Sequence, residues 1–173
     1  MSIEVIDDLL REPEPTSLEN FLIHRLDWKY IDNKDIENGG DDLYDYQFIH
    51  MFFQGGYASN FYREIEPIVR RFPVLAVHRI KANLEVYTGK QSKGDFHFDW
   101  LHPTMNMPTN NMMTAIYYVN SNNGYTEFED GTKVDSVRNR IVTFPSNMKH
   151  RGVSQTDTRT RMVINFNWFV SQI

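Results

Sequence analysis

The segment Phe96-His97-Phe98-Asp99 places two side chains that bind metals two residues apart. In an extended strand, residues i and i+2 point to the same face, so His97 and Asp99 are expected to project together. Imidazole and carboxylate are two of the three ligands in the 2-His-1-carboxylate arrangement, which holds ferrous iron and leaves coordination positions open. The spacing therefore predicts a metal pair, although a lone histidine-x-aspartate is a weak signal.

A third metal ligand has to come from a distant part of the chain, and His150 is the histidine whose surroundings fit. It follows the predicted strand Arg140–Phe144 and stands at the start of a further predicted strand. The alternative is a surface histidine in a basic turn, since Lys149 and Arg151 flank it. The remaining histidines have no comparable context, and we place the last of them in a loop: His24, His50, His78 and His102.

A pocket that binds a carboxylate ligand needs a cation. Arginine suits this role because its planar fork binds carboxylate at two points and stays charged. Arg159 and Arg161 both follow His150 and share strand parity. Arg159 lies in a polar turn, which predicts a solvated surface charge. Arg161 begins a long run rich in apolar residues, so we expect it at the mouth of a buried strand and select it as the anion-binding residue.

The N-terminal part of the chain is predicted to contain two helices. Thr16 and Glu19 have capping-box spacing ahead of an apolar stripe, which predicts a helix over about Ser17–Leu26. Ser59 is expected to cap a second helix, in which Pro67 weakens the helical pattern because proline lacks an N–H group. These helices would flank the strands that follow.

From Val74 onward the apolar period becomes two, which indicates strands. The first long strand carries aliphatic residues on one face and polar residues on the other. Helices followed by many short strands predict a mainly β (α+β) fold, a β-sandwich or jelly roll with flanking N-terminal helices. The predicted strands are Tyr44–Phe52, Val74–Tyr87, Met113–Val119, Tyr125–Glu129, Lys133–Val137, Arg140–Phe144 and Arg161–Val170.

We expect one domain over residues 1–173, with residues 1–72 as an N-terminal flank of helices and strand and residues 73–173 as the core that carries the site. Two loops are predicted from their composition. Asn33–Asp42 is polar and contains two glycines, and Leu101–Asn111 directly follows the metal pair and is rich in Met, Asn and Pro.

The stretch Leu84–Phe169 resembles the catalytic core of the prolyl-hydroxylase branch of the Fe(II)/2-oxoglutarate dioxygenases. The resemblance covers about half of the chain, and its motifs occur in a fixed order, which makes the set more specific than any single piece. Asn123 departs from the pattern, because the family usually has glycine there. The motifs are Tyr87-Thr88-Gly89, His97-x-Asp99, Thr114-Ala115-Ile116-Tyr117-Tyr118-Val119-Asn120, Gly124-Tyr125-Thr126-Glu127-Phe128, Asn139-Arg140-Ile141-Val142-Thr143-Phe144-Pro145, His150 and Arg161.

The resemblance implies a double-stranded β-helix and an oxidoreductase that uses Fe(II), 2-oxoglutarate as co-substrate and O2. It implies iron on His97, Asp99 and His150, and hydroxylation of a C–H bond with release of succinate and CO2. Because related halogenases lack the carboxylate ligand, Asp99 favours hydroxylation. The implied substrate is peptidyl proline or a small molecule.

The resemblance also implies a set of co-substrate contacts. Arg161 and Tyr118 would hold the distal carboxylate of 2-oxoglutarate, and Tyr87 would lie near its carboxylates. Tyr117 has the opposite parity to Tyr118 and is expected to pack in the core. Four further polar residues share these faces and would contact co-substrate or substrate, or brace the metal ligands: Asn83 and Glu85 beside Tyr87, and Asn165 and Asn167 beside Arg161.

Composition excludes several other chemistries. The sequence has no cysteine, so disulfides, thiolate metal sites, iron–sulfur clusters and a cysteine nucleophile are ruled out. The net charge of −5 makes nucleic acid an unexpected partner. The N-terminus does not resemble a signal peptide and no apolar stretch is long enough to span a membrane, so we expect a cytoplasmic protein without a membrane partner.

Two alternatives compete with the oxygenase. A cupin-like metal protein that does not use 2-oxoglutarate would keep the three metal ligands but would need neither Arg161 nor Tyr118. A non-enzymatic binding module on the same fold would have no need for an intact ligand set. Cupins usually supply more histidine ligands than the two identified in this sequence, His97 and His150.

Overall fold

A computed structural model describes residues 2–32, 46–99 and 112–171. Both predicted loops, Asn33–Asp42 and Leu101–Asn111, lie outside the described residues. The described residues form two helices and eleven strands. In chain order these are β1 (Glu4–Ile6), α1 (Glu14–His24), β2 (Lys29–Asp32), β3 (Tyr46–Gln54), β4 (Tyr57–Ala58), α2 (Tyr62–Val69), β5 (Val74–Val86), β6 (Met112–Tyr118), β7 (Tyr125–Phe128), β8 (Lys133–Asp135), β9 (Arg140–Pro145), β10 (His150–Val153) and β11 (Thr160–Val170).

The strands form two antiparallel sheets. The larger sheet has the order β1-β9-β6-β11-β5-β3-β2, with β4 paired to β3, and the smaller sheet has the order β10-β7-β8. Consecutive strands are often not neighbours, because the chain crosses repeatedly between the sheets. This arrangement confirms the predicted mainly β jelly roll with flanking helices.

Side chains on the two faces of the larger sheet serve different purposes. The outer face packs against both helices, where Leu22 of α1 and Ile65 of α2 join Ile164, Phe166 and Trp168 of β11 in one buried cluster. The inner face packs on the smaller sheet through a second, smaller apolar cluster. That cluster contains Ile116, Tyr118, Phe128, Val134, Val142, Phe144 and Val163. Strand alternation therefore leaves the rest of the inner face of β5 and β11 for polar residues.

Both helices begin at different residues from those predicted. The capping-box prediction is wrong, because α1 begins at Glu14 and the Thr16 hydroxyl lies inside the helix, donating to Glu12 Oε2 at 2.8 Å. The first turn carries prolines, which have no N–H group that a cap would need to satisfy. In α2 the Ser59 hydroxyl accepts a bond from the Phe61 N–H group before the helix begins.

The long strands were predicted to within a few residues, and the short edge strands were missed. The strands that the sequence did not predict are β1, β2 and β4, which have two to four residues each. Such segments have too few residues to establish an alternating pattern, and they are stabilised by pairing with longer neighbours. Neither helix in the described part of the chain is long and apolar enough to cross a membrane.

Asn139 ties the N-terminal segment to the larger sheet. Its side chain accepts a hydrogen bond from the Leu10 N–H group at 3.0 Å, donates to the Leu10 carbonyl at 2.9 Å, and accepts from the Tyr117 hydroxyl at 3.0 Å. Its φ of 65° is in the left-handed region, where asparagine is tolerated better than most residues. Asn139 thus adopts the left-handed backbone conformation of this turn and also satisfies the backbone hydrogen-bonding groups of Leu10.

We predict that Asn139→Ala lowers the free energy of unfolding by about 2–4 kcal/mol, because it leaves buried Leu10 groups unbonded and adds left-handed strain. Asn139→Gly removes the bonds without the strain and should cost about 1 kcal/mol less. Tyr117→Phe removes one bond and should cost about 0.5–1.5 kcal/mol. Denaturant unfolding measures all three. A loss below about 0.5 kcal/mol for the alanine variant would contradict this account.

Candidate functional site

His97 and His150 face each other across a two-residue antiparallel bridge. The His97 N–H group donates to the His150 carbonyl at 3.0 Å, and the His150 N–H group donates to the His97 carbonyl at 3.1 Å. The two rings lie 4.9 Å apart between centroids. Backbone pairing therefore brings together two histidines that are far apart in the sequence.

The backbone also fixes which ring nitrogen of each histidine is available. His97 Nδ1 lies 3.0 Å from the Asp95 carbonyl, and His150 Nδ1 lies 3.2 Å from the Met148 carbonyl. Because a carbonyl only accepts, each Nδ1 must carry the proton, and each Nε2 presents a lone pair. Burial lowers the pKa of His150, which favours the neutral imidazole that binds metals.

Asp99 completes the group as a carboxylate held on both sides. Its Oδ1 accepts from Arg79 Nη2 at 3.2 Å, and its Oδ2 accepts from Asn167 Nδ2 at 3.0 Å. Burial works to raise the pKa of this carboxyl, but the Arg79 charge and the Asn167 hydrogen bond, joined by His150 whenever its imidazole is protonated, outweigh burial and hold the pKa below its usual value. The side chain is therefore ionised and oriented.

The three ligand atoms fit a single metal ion. They lie within 4.8 Å of one another, and the Asp99 oxygens are 3.9 Å from His97 Nε2 and 3.8 Å from His150 Nε2. The two gaps to Asp99 lie within the roughly 4.4 Å that an ion about 2.2 Å from each of two donors can span. Two imidazoles and one carboxylate on a common side match the donor set of a non-haem Fe(II) centre with open positions.

A polar cavity of about 140 Å³ opens beside the three ligands. It lies between the inner face of the larger sheet and the smaller sheet. Inner-face side chains of β5 and β11 form much of its wall. The lining residues are Gln47, Lys81, Asn83, Glu85, Gly94, His97, Asp99, Ile116, Thr126, His150, Gly152, Arg161, Val163 and Asn165.

Arg161 is a buried cation in this cavity, with only 4% of its surface exposed. Its Nε donates to the Ser136 hydroxyl at 3.1 Å, and Glu85 Oε2 approaches Nη1 only to 3.9 Å. Within the described part of the chain, neither terminal nitrogen makes a hydrogen bond. Gly124 leaves room for the Arg161 stem, since a Cβ there would lie 2.7 Å from Arg161 Cδ. The fork is therefore buried, positioned and available to an anion.

Tyr118 lies behind the cavity wall and does not line the cavity. Its fully buried hydroxyl donates to the Thr126 hydroxyl at 2.7 Å, and Thr126 is the residue that faces the cavity. Burial raises the pKa of Tyr118 to about 12, so the phenol keeps its proton at neutral pH. Direct contact of Tyr118 with a co-substrate stays a prediction, and the geometry places Thr126 nearer to such a ligand.

The other predicted site residues separate into three groups. Asn83, Glu85 and Asn165 line the cavity. Asn167 is fully buried behind Asp99, donates to it and accepts from Arg79 Nε at 2.9 Å, so it braces a ligand. Tyr87 follows the end of β5 with 52% of its surface exposed and does not line the cavity, so its placement gives the predicted co-substrate contact no support.

Several residues at the site were not selected from the sequence. Arg79 and Lys81 share the inner face of β5 with Asn83, but strand parity cannot tell which charged residues on a face reach a ligand. Thr126 was part of a quoted motif without a role. Ser136 and Gln47 reach the site only through the way in which the sheets meet.

Comparisons with known proteins identify the fold. No protein-family model matches the sequence, and no curated protein matches it. Solved structures do match. A viral collagen prolyl hydroxylase from Paramecium bursaria Chlorella virus-1, in a 2OG complex, matches with a TM-score of 0.62 at 14% identity over 99% of this chain and 97% of that chain.

Two further solved structures match the chain with similar TM-scores. A prolyl hydroxylase from Trichoplax adhaerens, in complex with a hypoxia inducible factor peptide fragment, matches with a TM-score of 0.63 at 13% identity over 96% of this chain and 83% of that chain. A 2OG-Fe(II) oxygenase family oxidoreductase from Burkholderia pseudomallei matches with a TM-score of 0.64 at 7% identity over 96% and 84%.

The chain has the fold of the 2OG-Fe(II) oxygenases. Prolyl hydroxylases are among the structures that share this oxygenase fold with it, as the ordered motifs had indicated. At these identities the likeness concerns the fold, so the chemistry of this chain has to be argued from its own side chains.

We predict that His150→Ala weakens binding of Fe(II) by more than about a hundredfold, since even a change beside a metal ligand costs 10- to 100-fold. The measurement is anaerobic calorimetry with Fe(II). His24→Ala is the matched control because His24 is exposed at the end of α1, and it should bind iron like the unmodified chain. Equal affinity in both variants would remove His150 from the metal site.

Proposed function

We propose that the chain is an Fe(II)- and 2-oxoglutarate-dependent oxygenase that hydroxylates a C–H bond. The observation that carries the proposal is the position of Arg161. Its buried guanidinium faces the same cavity as the His97, Asp99 and His150 ligand set, and its terminal nitrogens have no hydrogen-bond partner among the described residues. The nearest described carboxylate, Glu85, comes only within 3.9 Å, which is too far for a hydrogen bond, so a carboxylate ligand would pair with the buried charge more closely.

The three metal ligands are oriented by their neighbours and suited to iron. His97 and His150 would bind through Nε2, because their Nδ1 atoms are committed to backbone carbonyls. Asp99 would bind as a carboxylate held in place by Arg79 and Asn167. Three protein ligands leave the remaining positions of an octahedral ion to smaller molecules.

The opposite end of the cavity is suited to the distal carboxylate of 2-oxoglutarate. Arg161 would bind this carboxylate with both terminal nitrogens, and the Thr126 hydroxyl lies on the same wall. Tyr118 donates to Thr126, so the Thr126 proton is free to point at an acceptor in the cavity. Tyr118 would thus act on the co-substrate through Thr126 or by a direct bond if its hydroxyl turns.

Iron and 2-oxoglutarate together supply the activation of dioxygen that a C–H hydroxylation requires, with succinate and CO2 as the other products. The chain contributes orientation and exclusion of water. Ile116 and Val163 form an apolar part of the wall between the two ends of the cavity. A partly apolar wall strengthens the electrostatic hold of Arg161 on its carboxylate.

Arg161 weighs against the first alternative, and the two fixed histidines weigh against the second. A cupin-like metal protein that does not use 2-oxoglutarate has no need for a buried arginine facing the metal. A binding module without catalysis has no need for two histidines whose Nδ1 atoms are both fixed. The nature of the substrate, a peptidyl proline or a small molecule, is a separate question.

We predict that Arg161→Ala raises the dissociation constant of 2-oxoglutarate at least about a hundredfold, because two charge-assisted hydrogen bonds worth roughly 1.5–3 kcal/mol each are lost. The measurement is calorimetry on protein loaded with Mn(II), which replaces iron without turnover. The pocket still contains Thr126, so some binding should persist.

Arg159→Ala is the matched control. Arg159 precedes β11 on the same strand parity, but its side chain is exposed. Its replacement should change the 2-oxoglutarate affinity less than about twofold. A larger loss for Arg159→Ala than for Arg161→Ala would show that the wrong arginine has been selected.

A further inference from the structure

Lys81 is a cavity residue that the proposed function does not use. It lies on the inner face of β5, between Arg79, which contacts Asp99, and Asn83. Its side chain is half-buried and lines the cavity. Among the described residues it has neither an ion pair nor a hydrogen bond, whereas Arg79 and Arg161 both have polar partners.

A partly desolvated lysine without a partner lowers stability. Lysine with an unsatisfied charge is therefore expected where a ligand supplies the compensating anion. Within the described residues, the nearest acidic groups of the cavity are already engaged. Asp99 is held by Arg79 and Asn167, and Glu85 lies at the far end of the row beside Arg161.

The co-substrate does not need Lys81. 2-Oxoglutarate has two carboxylates, of which the distal one is assigned to Arg161. The other carboxylate and the adjacent ketone would lie at the metal held by His97, Asp99 and His150, whose positive charge would neutralise them. Lys81 is then a cation that neither carboxylate of 2-oxoglutarate uses, and it is available to the carboxylate of a second ligand in the cavity.

Two amide side chains beside Lys81 narrow the class of ligand further. Asn165 lies opposite Lys81 in the β5–β11 register, and Asn83 is the next inner residue along β5. The carbonyl oxygens of both amides are buried, and in the described part of the chain neither has a hydrogen-bond partner. Amide oxygens accept hydrogen bonds, so they favour a ligand that carries N–H or O–H donors.

We infer that the primary substrate is a small molecule of the free amino acid class, with its carboxylate bound by Lys81 and its ammonium group bound by the amide oxygens of Asn83 and Asn165. This inference rests on the proposed function and specifies its substrate. Lys81 is then a specificity-determining residue, because an internal residue of a peptide offers N–H donors but has no free α-carboxylate.

The experiment measures binding and turnover separately. Protein loaded with Mn(II) and 2-oxoglutarate is titrated by calorimetry with the free proteinogenic L-amino acids, with the C-terminal amide of each one that binds, and with an end-capped proline-rich peptide. The same probes are then tested for stimulated succinate release with Fe(II). The variants are Lys81→Met, which keeps the shape and loses the charge, and Lys29→Met, an exposed lysine on β2 of the same sheet.

The unmodified chain should bind at least one free amino acid, and its amide at least about tenfold more weakly, as expected when a charge-assisted bond is lost. Lys81→Met should lose that preference for the acid, while its affinity for 2-oxoglutarate changes less than about twofold. Its melting temperature should be equal or higher, since an uncompensated charge is removed. Lys29→Met should match the unmodified chain.

Three results would overturn the inference. The first is that no free amino acid binds, or that the capped peptide binds and stimulates turnover as well as the best free acid. The second is that Lys81→Met leaves the preference for acid over amide unchanged. The third is that Lys81→Met mainly weakens the binding of 2-oxoglutarate, which would assign Lys81 to the co-substrate.

If the unmodified chain fails to bind Mn(II) and 2-oxoglutarate at all, the proposed function itself fails, and that result is visible before any amino acid is added.

Discussion

The pairing of β5 with β11 sets the geometry on which the whole site depends. Their register places Glu85 opposite Arg161 at one end and Arg79 opposite Asn167 at the other. Arg161 and Asn167 are six residues apart on one strand face, roughly 20 Å along a strand. The anion-binding fork and the support of the metal carboxylate are therefore parts of one ladder. A slip of one residue would turn the entire polar row to the outer face.

The inner-face polar side chains of β5 and β11 form a polar row. The fold tolerates this row because the outer faces of the same two strands are strongly apolar. Residues between the polar ones, such as Ile164 and Phe166, are fully buried against the helices. Polar inner residues lower stability unless they are paired, and most pairs are supplied within the row, as Arg79, Asn167 and Asp99 show. Lys81 and the amide oxygens of Asn83 and Asn165 are members of the row that have no such pair among the described residues. These three groups of the row all lie in the cavity.

Much of the fold and part of the site could be predicted from the sequence. The long strands have clear alternation, and the parity of β5 and β11 placed Asn83, Glu85, Asn165 and Arg161 on the correct faces. Short edge strands and helix starts were missed, because pairing partners and prolines decide them rather than a periodic pattern. Parity alone could not show that Tyr118 is screened by Thr126, that Tyr87 is exposed, or that Lys81 has no hydrogen bond or ion pair with any described residue. Those facts depend on how the two sheets pack, and packing of side chains far apart in sequence leaves no local pattern.

The most direct test of the central claim is an anaerobic absorbance titration of the Fe(II)-loaded chain with 2-oxoglutarate. Chelation of Fe(II) by a 2-keto acid produces a weak visible band, and the oxygenase account predicts that this band grows and saturates at one 2-oxoglutarate per chain. Succinate, which lacks the ketone, should produce no band. An Fe(II)-loaded chain that shows no band at saturating 2-oxoglutarate would contradict the account and favour a metal protein that does not use this co-substrate.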